Sequence, residues 1–262
     1  MFEASMALGS YDRVIDPESI ALAVQNLSKE FGGLRAVRQC SFTVEQGTVT
    51  GLIGPNGAGK TTAFNLISGV LRPDSGSVTL FGTDVTAAMP HKIARLGLGR
   101  TFQITRELGN LTVLENMIVP TSRGSLTQLL GSRHYREEMD RAHGLLEFVG
   151  IERLASEPAK NLSFGQKKLL EFASVLMADP RVVLLDEPAG GVNPALLERI
   201  VDRIVQLNAQ GLTFLIVEHN MDVVMSICDP IVVMAHGQVL LSGSPGLIQR
   251  DERVLDAYLG RA

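Results

Sequence analysis

Gly54-Pro55-Asn56-Gly57-Ala58-Gly59-Lys60-Thr61-Thr62 decides the reading of this chain. The stretch fits G-x-x-x-x-G-K-[ST]. The apolar run Val49-Thr50-Gly51-Leu52-Ile53 precedes it, and a helical pattern holding Phe64 and Ile67 follows. That strand, loop and helix order is the context a phosphate-binding loop needs. Glycines let the backbone fold round an anion without Cβ clashes. Exposed amides and the helix N-terminus then turn partial positive charge toward phosphate. Lys60 adds a full charge between β- and γ-phosphates, and the Thr61 hydroxyl suits Mg²⁺. A Gly-rich turn with an exposed lysine is the bland alternative, and the flanking strand and helix weigh against it.

Working outward, Val182-Val183-Leu184-Leu185 runs into Asp186-Glu187, and Thr213-Phe214-Leu215-Ile216-Val217 runs into Glu218-His219. Such short, uniformly apolar runs suit parallel strands buried on both faces. Parallel strands need helical crossovers, so the expected core is doubly wound α/β. In such sheets ligand chemistry lies at the carboxyl ends of the strands. Asp186 there suits Mg²⁺, usually through water, and complements Thr61. Glu187 can orient or deprotonate an attacking water. His219 can hydrogen-bond a γ-phosphate. A solvated acidic turn and a structural histidine are the alternatives, weakened by the phosphate loop in the same chain.

The rest of the chain sets bounds. It has 262 residues, 45% of them hydrophobic, which is enough for one large α/β domain or a core with a small insertion. A net charge of −4 argues against a non-specific grip on nucleic acid or an anionic membrane, so no nucleic-acid partner is expected. Cys40 and Cys228 lie far apart without CxxC or metal spacing, as in a reduced cytosolic protein. No run reaches spanning length. Residues 1–19 lack a basic start followed by an apolar run, so they are expected to be a disordered extension and not a signal peptide. Antiparallel strands are expected over Ala21 to Thr43 and again from Ile231 to Ser242, the latter turning at His236-Gly237. From about Leu108 to Asn161 the pattern becomes helical, with Met139, Ala142, Leu145, Leu146 and Val149 on one face, as in an inserted helical subdomain.

One more stretch carries the family. Leu162-Ser163-Phe164-Gly165-Gln166 opens a helix, with Ser163 and Gln166 as a capping box and Leu169, Phe172, Ala173, Leu176 and Met177 as its buried stripe. Alone it is a well-capped helix. Placed before Asp186-Glu187, it resembles the signature loop of ATP-binding cassette proteins. That family's order is phosphate loop, glutamine loop, signature, acidic strand and histidine. All five occur here in order, with Gln103 in Arg100-Thr101-Phe102-Gln103 as the glutamine. The resemblance covers about Ile20 to the C-terminus. It implies a P-loop NTPase (RecA-like) parallel-sheet core over residues 20–262, with an antiparallel β subdomain and an inserted helical subdomain.

The resemblance further implies that two cassettes meet head to tail with ATP between one phosphate loop and the other's signature. Gly54 to Thr62 would then hold ATP, and Ser163, Gly165 and Gln166 would touch the partner's nucleotide. Phe31 sits where the family places an aromatic against adenine; a core or loop aromatic is the alternative. Gln103 would reach Mg²⁺ and the attacking water, beside Thr61 and Asp186. Phe164 departs from the usual second glycine of the signature. Asn193, expected among the nucleotide-binding residues, stands where many relatives have Asp, losing charge but keeping an acceptor.

Gly190-Gly191-Val192-Asn193-Pro194, Leu111-Thr112-Val113-Leu114-Glu115-Asn116, Val217-Glu218-His219-Asn220-Met221 and Ala257-Tyr258-Leu259-Gly260 resemble cassettes of the branched-chain amino acid importer group. Urea and short-amide importers and a lipopolysaccharide-export ATPase share much of that pattern. The resemblance implies ATP hydrolysis at the cytoplasmic face of the bacterial inner membrane. Implied partners are integral-membrane permeases, a second ATPase subunit (a paralogue or a second copy) and, indirectly, a periplasmic solute-binding protein. The surface from Thr105 to Thr112 is expected to receive a permease coupling helix. No Asn-Lys-x-Asp motif points to GTP. The chain is also too short for the paired cassettes or coiled-coil insertion of translation and repair relatives.

Overall fold

The computed structural model describes residues 19–101, 107–119 and 133–259. In chain order, the strands are β1 (Ile20–Phe31), β2 (Leu34–Glu45), β3 (Val49–Ile53), β4 (Ser75–Leu80), β5 (Thr83–Asp84), β6 (Leu98–Arg100), β7 (Val182–Asp186), β8 (Thr213–Val217), β9 (Ile231–Ala235) and β10 (Gln238–Gly243). The helices are α1 (Lys60–Ile67), α2 (Pro90–Arg95), α3 (Val113–Ile118), α4 (Arg133–Val149), α5 (Phe164–Met177), α6 (Pro194–Ala209), α7 (Met221–Ile227), α8 (Pro245–Arg250) and α9 (Glu252–Leu259). The described residues form two compact units, one running up to Pro90 and resuming at Leu215, the other covering His91–Phe214.

In the first unit an antiparallel sheet has the order β2-β1-β4-β5. Leu22 lies opposite both Val44 and Leu80, and Val24 opposite Phe42 and Val78, so apolar cross-strand pairs set the register. All five residues of β3 are buried, which is why it reads as a continuous apolar run rather than an alternation. It runs parallel to β9. Strand β9 turns back into antiparallel β10 through a two-residue loop, His236 at φ 49° and Gly237 at φ 80°. Positive φ at both positions is the hairpin turn whose twist matches the strands. The expected hairpin is therefore present, but its first strand also belongs to the parallel arrangement, which the turn signal alone does not reveal.

In the second unit β6 and β7 pair in parallel. Helix α5 buries Leu169, Leu170, Phe172, Ala173, Leu176 and Met177, and α4 buries Ala142, Leu146 and Val149, with Met139 and Leu145 half-buried. Helix α3 starts at a capping box, Thr112 N donating to Glu115 Oε2 at 2.7 Å and Glu115 N to Thr112 Oγ1 at 3.1 Å. The buried side chain of Asn116 then ties down the preceding loop. It accepts from Leu108 N at 2.8 Å and donates to Leu108 O at 3.1 Å and Thr112 O at 2.8 Å.

Candidate functional site

The phosphate loop links β3 to α1. Gly59 caps α1 from the left-handed region, φ 96°, and offers no side chain to the first-turn amides. Those amides stay available to an anion, and the helix dipole reinforces them. The loop is held from behind: Gly237 N donates to Ala58 O at 3.1 Å, and a Cβ on Gly59 would lie 2.3 Å from the Ala36 carbonyl oxygen. Only a glycine fits there. Lys60 folds back over the loop, donating to Gly54 O at 2.7 Å and Pro55 O at 3.1 Å. Asn56, Gly57 and Thr61 are exposed, and Thr62 is half-buried. From helix α9, Tyr258 reaches the same loop; burial raises its phenol, and a hydrogen bond from the Gly54 backbone pulls it down. Phe31 ends β1 with 44% of its surface exposed, so it is not a core aromatic. The Lys29 ammonium lies 5.7 Å from its ring.

The acidic end of β7 is built differently. Asp186 is only 2% exposed, and its Oδ2 meets the Arg100 side chain, itself 7% exposed, at 3.3 Å. Thr101 Oγ1 accepts from Asp186 N at 3.2 Å. Burial lifts the Asp186 carboxyl above its ordinary range; Arg100 opposes the rise, and Glu187 adds to it. Asp186 Oδ1 has no hydrogen-bond partner among the described residues. A buried carboxylate oxygen left in that state fits the water shell of a Mg²⁺ ion. Glu187 is half-buried, and its backbone lies in the left-handed region at φ 52°. His219 is exposed, just beyond β8. The buried Glu218 carboxylate accepts from His219 N at 3.0 Å and Asn220 N at 3.2 Å, which fixes the turn presenting the imidazole.

At the start of α5 the capping box is complete: Ser163 N donates to Gln166 Oε1 at 2.8 Å, and Gln166 N to Ser163 Oγ at 3.4 Å. Gly165 has no room for a side chain, since a Cβ would meet Leu196 Cδ2 at 2.4 Å. The Phe164 ring packs against Gly191 and is 48% exposed. The Asn193 acceptor is used within its own chain, taking Leu196 N at 2.9 Å as the N-cap of α6. Asn193→Ala should therefore lower stability by about 1 kcal/mol, with Asn193→Asp retaining it, as read by urea denaturation. Gln103 lies outside the described residues. Arg100 and Lys168 did not stand out in the sequence. The available signal was an arginine ending a three-residue strand just before the expected glutamine loop, and a lysine beside an apolar helical stripe.

A Gly-rich loop between a buried strand and a helix, its lysine in place, with carboxylates at the end of a second buried strand, defines a P-loop ATPase. The chain belongs to the ABC transporter family, whose profile matches residues 37–190. It is the ATP-binding, ATP-hydrolysing cassette of that family. A probable branched-chain amino acid transport ATP-binding protein, LivG, of Archaeoglobus fulgidus is 43% identical over 244 residues, covering 91% of this chain and 95% of that one. The high-affinity branched-chain amino acid transport ATP-binding protein BraF of Pseudomonas aeruginosa is 40% identical over 250 residues, covering 92% and 98%. The crystal structure of an ATP-binding cassette of an ABC transporter in its ADP conformation superposes with a TM-score of 0.81 at 35% identity, covering 92% and 99%. No helix among the described residues is long and apolar enough to cross a membrane.

Proposed function

We propose that this chain is the ATP-driven subunit of a membrane importer for branched-chain amino acids, working at the cytoplasmic face of the membrane. The likeness along nine-tenths of the chain to proteins named for branched-chain amino acid transport carries this reading. Residues 20–262 act as one cassette, with the helical part about 108–161 facing the permease and residues 1–19 as an extension. Two cassettes, of the same or a paralogous chain, bind ATP head to tail beneath two permease subunits that a solute-binding protein feeds.

Within each site the amides from Gly54 to Thr62 and the Lys60 ammonium hold the phosphates, and Phe31 stacks on adenine. Ser163, Gly165 and Gln166 meet the partner's nucleotide, and Asn193 lies beside that interface. Thr61, Asp186 through water and Gln103 would hold Mg²⁺, which supplies charge neutralisation on the β- and γ-phosphates. Glu187 takes the proton of the attacking water, and His219 hydrogen-bonds the γ-phosphate. Triphosphate draws the cassettes together because both contribute groups to each nucleotide. Hydrolysis and phosphate release remove that attraction.

A groove of about 320 Å³, lined by Leu98, Leu108, Val119, Leu170 and Val175 among others, supports the permease contact after Gln103. Charge reversal at Glu107 is a poor probe of it. That carboxylate is tied to Lys167 of α5 at 2.6 Å, so its reversal also disturbs the signature helix. Leu108, exposed on the groove, is cleaner. In proteoliposomes holding cassettes, permeases and solute receptor, leucine uptake should require ATP. Leu108→Asp should cut uptake about 10-fold while the isolated cassette's ATPase rate holds. ATP turnover without uptake by the assembled wild-type complex would overturn the importer reading.

A further inference from the structure

The second unit contains a buried lysine whose contacts converge on the backbone of Glu187. Lys168 lies one turn into α5 and is 8% exposed. Its Nζ donates to the Glu187 carbonyl oxygen at 2.8 Å, across 19 residues of sequence. The same oxygen accepts from Gly190 N at 3.0 Å. Glu187 is held at φ 52°, a conformation in which a residue with a Cβ is disfavoured. Such a backbone persists only where its surroundings over-determine it. Here the surroundings are a turn amide and a full positive charge, and a charge-assisted bond is roughly twice as strong as a neutral one.

The lysine is itself held in place. Its ammonium lies 5.6 Å from the centre of the Phe164 ring, one helical turn earlier and on the same face. That ring packs on Gly191, where a Cβ would come within 2.9 Å of Phe164 Cε1. Phe164 and Lys168 thus join the start of α5 to the loop after β7 at two points, Gly191 and the Glu187 carbonyl. The phenyl side chain that replaces the family's usual glycine gains a physical role. Its ring lies beside the ammonium and against Gly191, in the turn that follows the carboxylate.

We propose that Lys168 is a positioning residue for ATP hydrolysis, fixing the left-handed backbone of Glu187 and so aiming its carboxylate, with Phe164 holding the ammonium in register. The proposal rests on the reading of Glu187 as the group that takes the proton from water. A carboxylate misplaced by a fraction of an ångström loses much of its advantage while the nucleotide stays bound. The expected signature is therefore a fall in kcat at unchanged KM.

The experiment compares wild type, Lys168→Met, Lys168→Arg and Glu187→Gln in MgATP turnover, with binding of a fluorescent ATP analogue and thermal unfolding measured on each. Lys168→Met should lower kcat roughly 10-fold, with KM and analogue affinity within about twofold of wild type. Lys168→Arg, which keeps a charged donor, should recover most of the loss. If Lys168→Met does not fold, Lys168→Gln, which keeps a neutral donor, is read by the same criteria. A kcat for the lysine variant within twofold of wild type, while Glu187→Gln collapses, would overturn the role of Lys168. Parallel losses of kcat, affinity and melting temperature without arginine rescue would overturn it too, as a merely structural effect. A Glu187→Gln enzyme that turns over normally would instead remove the premise.

Discussion

Glu187→Gln should reduce the kcat of ATP hydrolysis by roughly 100-fold or more, the scale of a lost general base, with ATP affinity kept within about twofold. The substitution changes one atom and keeps the side chain's shape, so the turn after β7 has no reason to rearrange. Its backbone oxygen, which the substitution leaves unchanged, keeps both donors, Gly190 N and Lys168 Nζ. Asp186, one residue earlier, keeps its buried pairing with Arg100. What disappears is the acceptor for a proton. Steady-state phosphate release and nucleotide titration, done on the same preparation, separate the two parameters. If the glutamine enzyme releases phosphate at the wild-type rate, proton removal is not done by this side chain.

The second large effect is structural. Gly59→Ala should abolish measurable ATP binding and destabilise the protein by about 3 kcal/mol, the scale of a strained backbone combined with a steric clash. Position 59 has φ 96°, and its Cβ would stand 2.3 Å from the carbonyl oxygen of Ala36, a backbone atom of β2. No rotamer relieves that overlap. Either the loop lifts from β2 or Ala36 is displaced, and both move the first-turn amides of α1 away from the phosphates. Gly57→Ala is the internal control. Its φ of 80° also disfavours a side chain, but no atom lies within 4 Å of the added carbon. It should cost about 1 kcal/mol and keep the binding loop. Chemical denaturation and an ATP titration on both variants test the distinction. Equal behaviour would show that backbone strain, and not the Ala36 contact, governs this loop.

Much of this molecule was legible before folding. The three buried runs at Val49, Val182 and Thr213 are all found as strands with every residue buried. A nearly apolar run of four or five residues has few other uses in a chain with helices between. The capping box at Ser163 and the apolar stripe behind it were equally plain, since both are set by residues within a turn or two of each other. Strand β4 was not legible. Its sequence Ser75-Gly76-Ser77-Val78-Thr79-Leu80 buries only Val78 and Leu80, and its place depends on pairing with β1, some fifty residues earlier. Nor was β6, three residues long, whose pairing with β7 brings Arg100 to Asp186. The Asn193 oxygen, free for a nucleotide as far as the sequence tells, is engaged by the helix it caps.

By itself, then, the sequence determined which chemical groups this protein brings to a nucleotide, and in what order. Glycines, lysine, threonine, carboxylates and caps act through bonds and angles among near neighbours, so a contiguous string of residues specifies them. Tertiary structure alone decided how those groups are held. The Arg100 charge against Asp186 crosses 86 residues and the Lys168 bond to Glu187 crosses 19, while the Ala36 carbonyl beside Gly59 lies on a separate strand. Contacts of that kind depend on the path of the whole backbone through space, which no local pattern of side chains encodes.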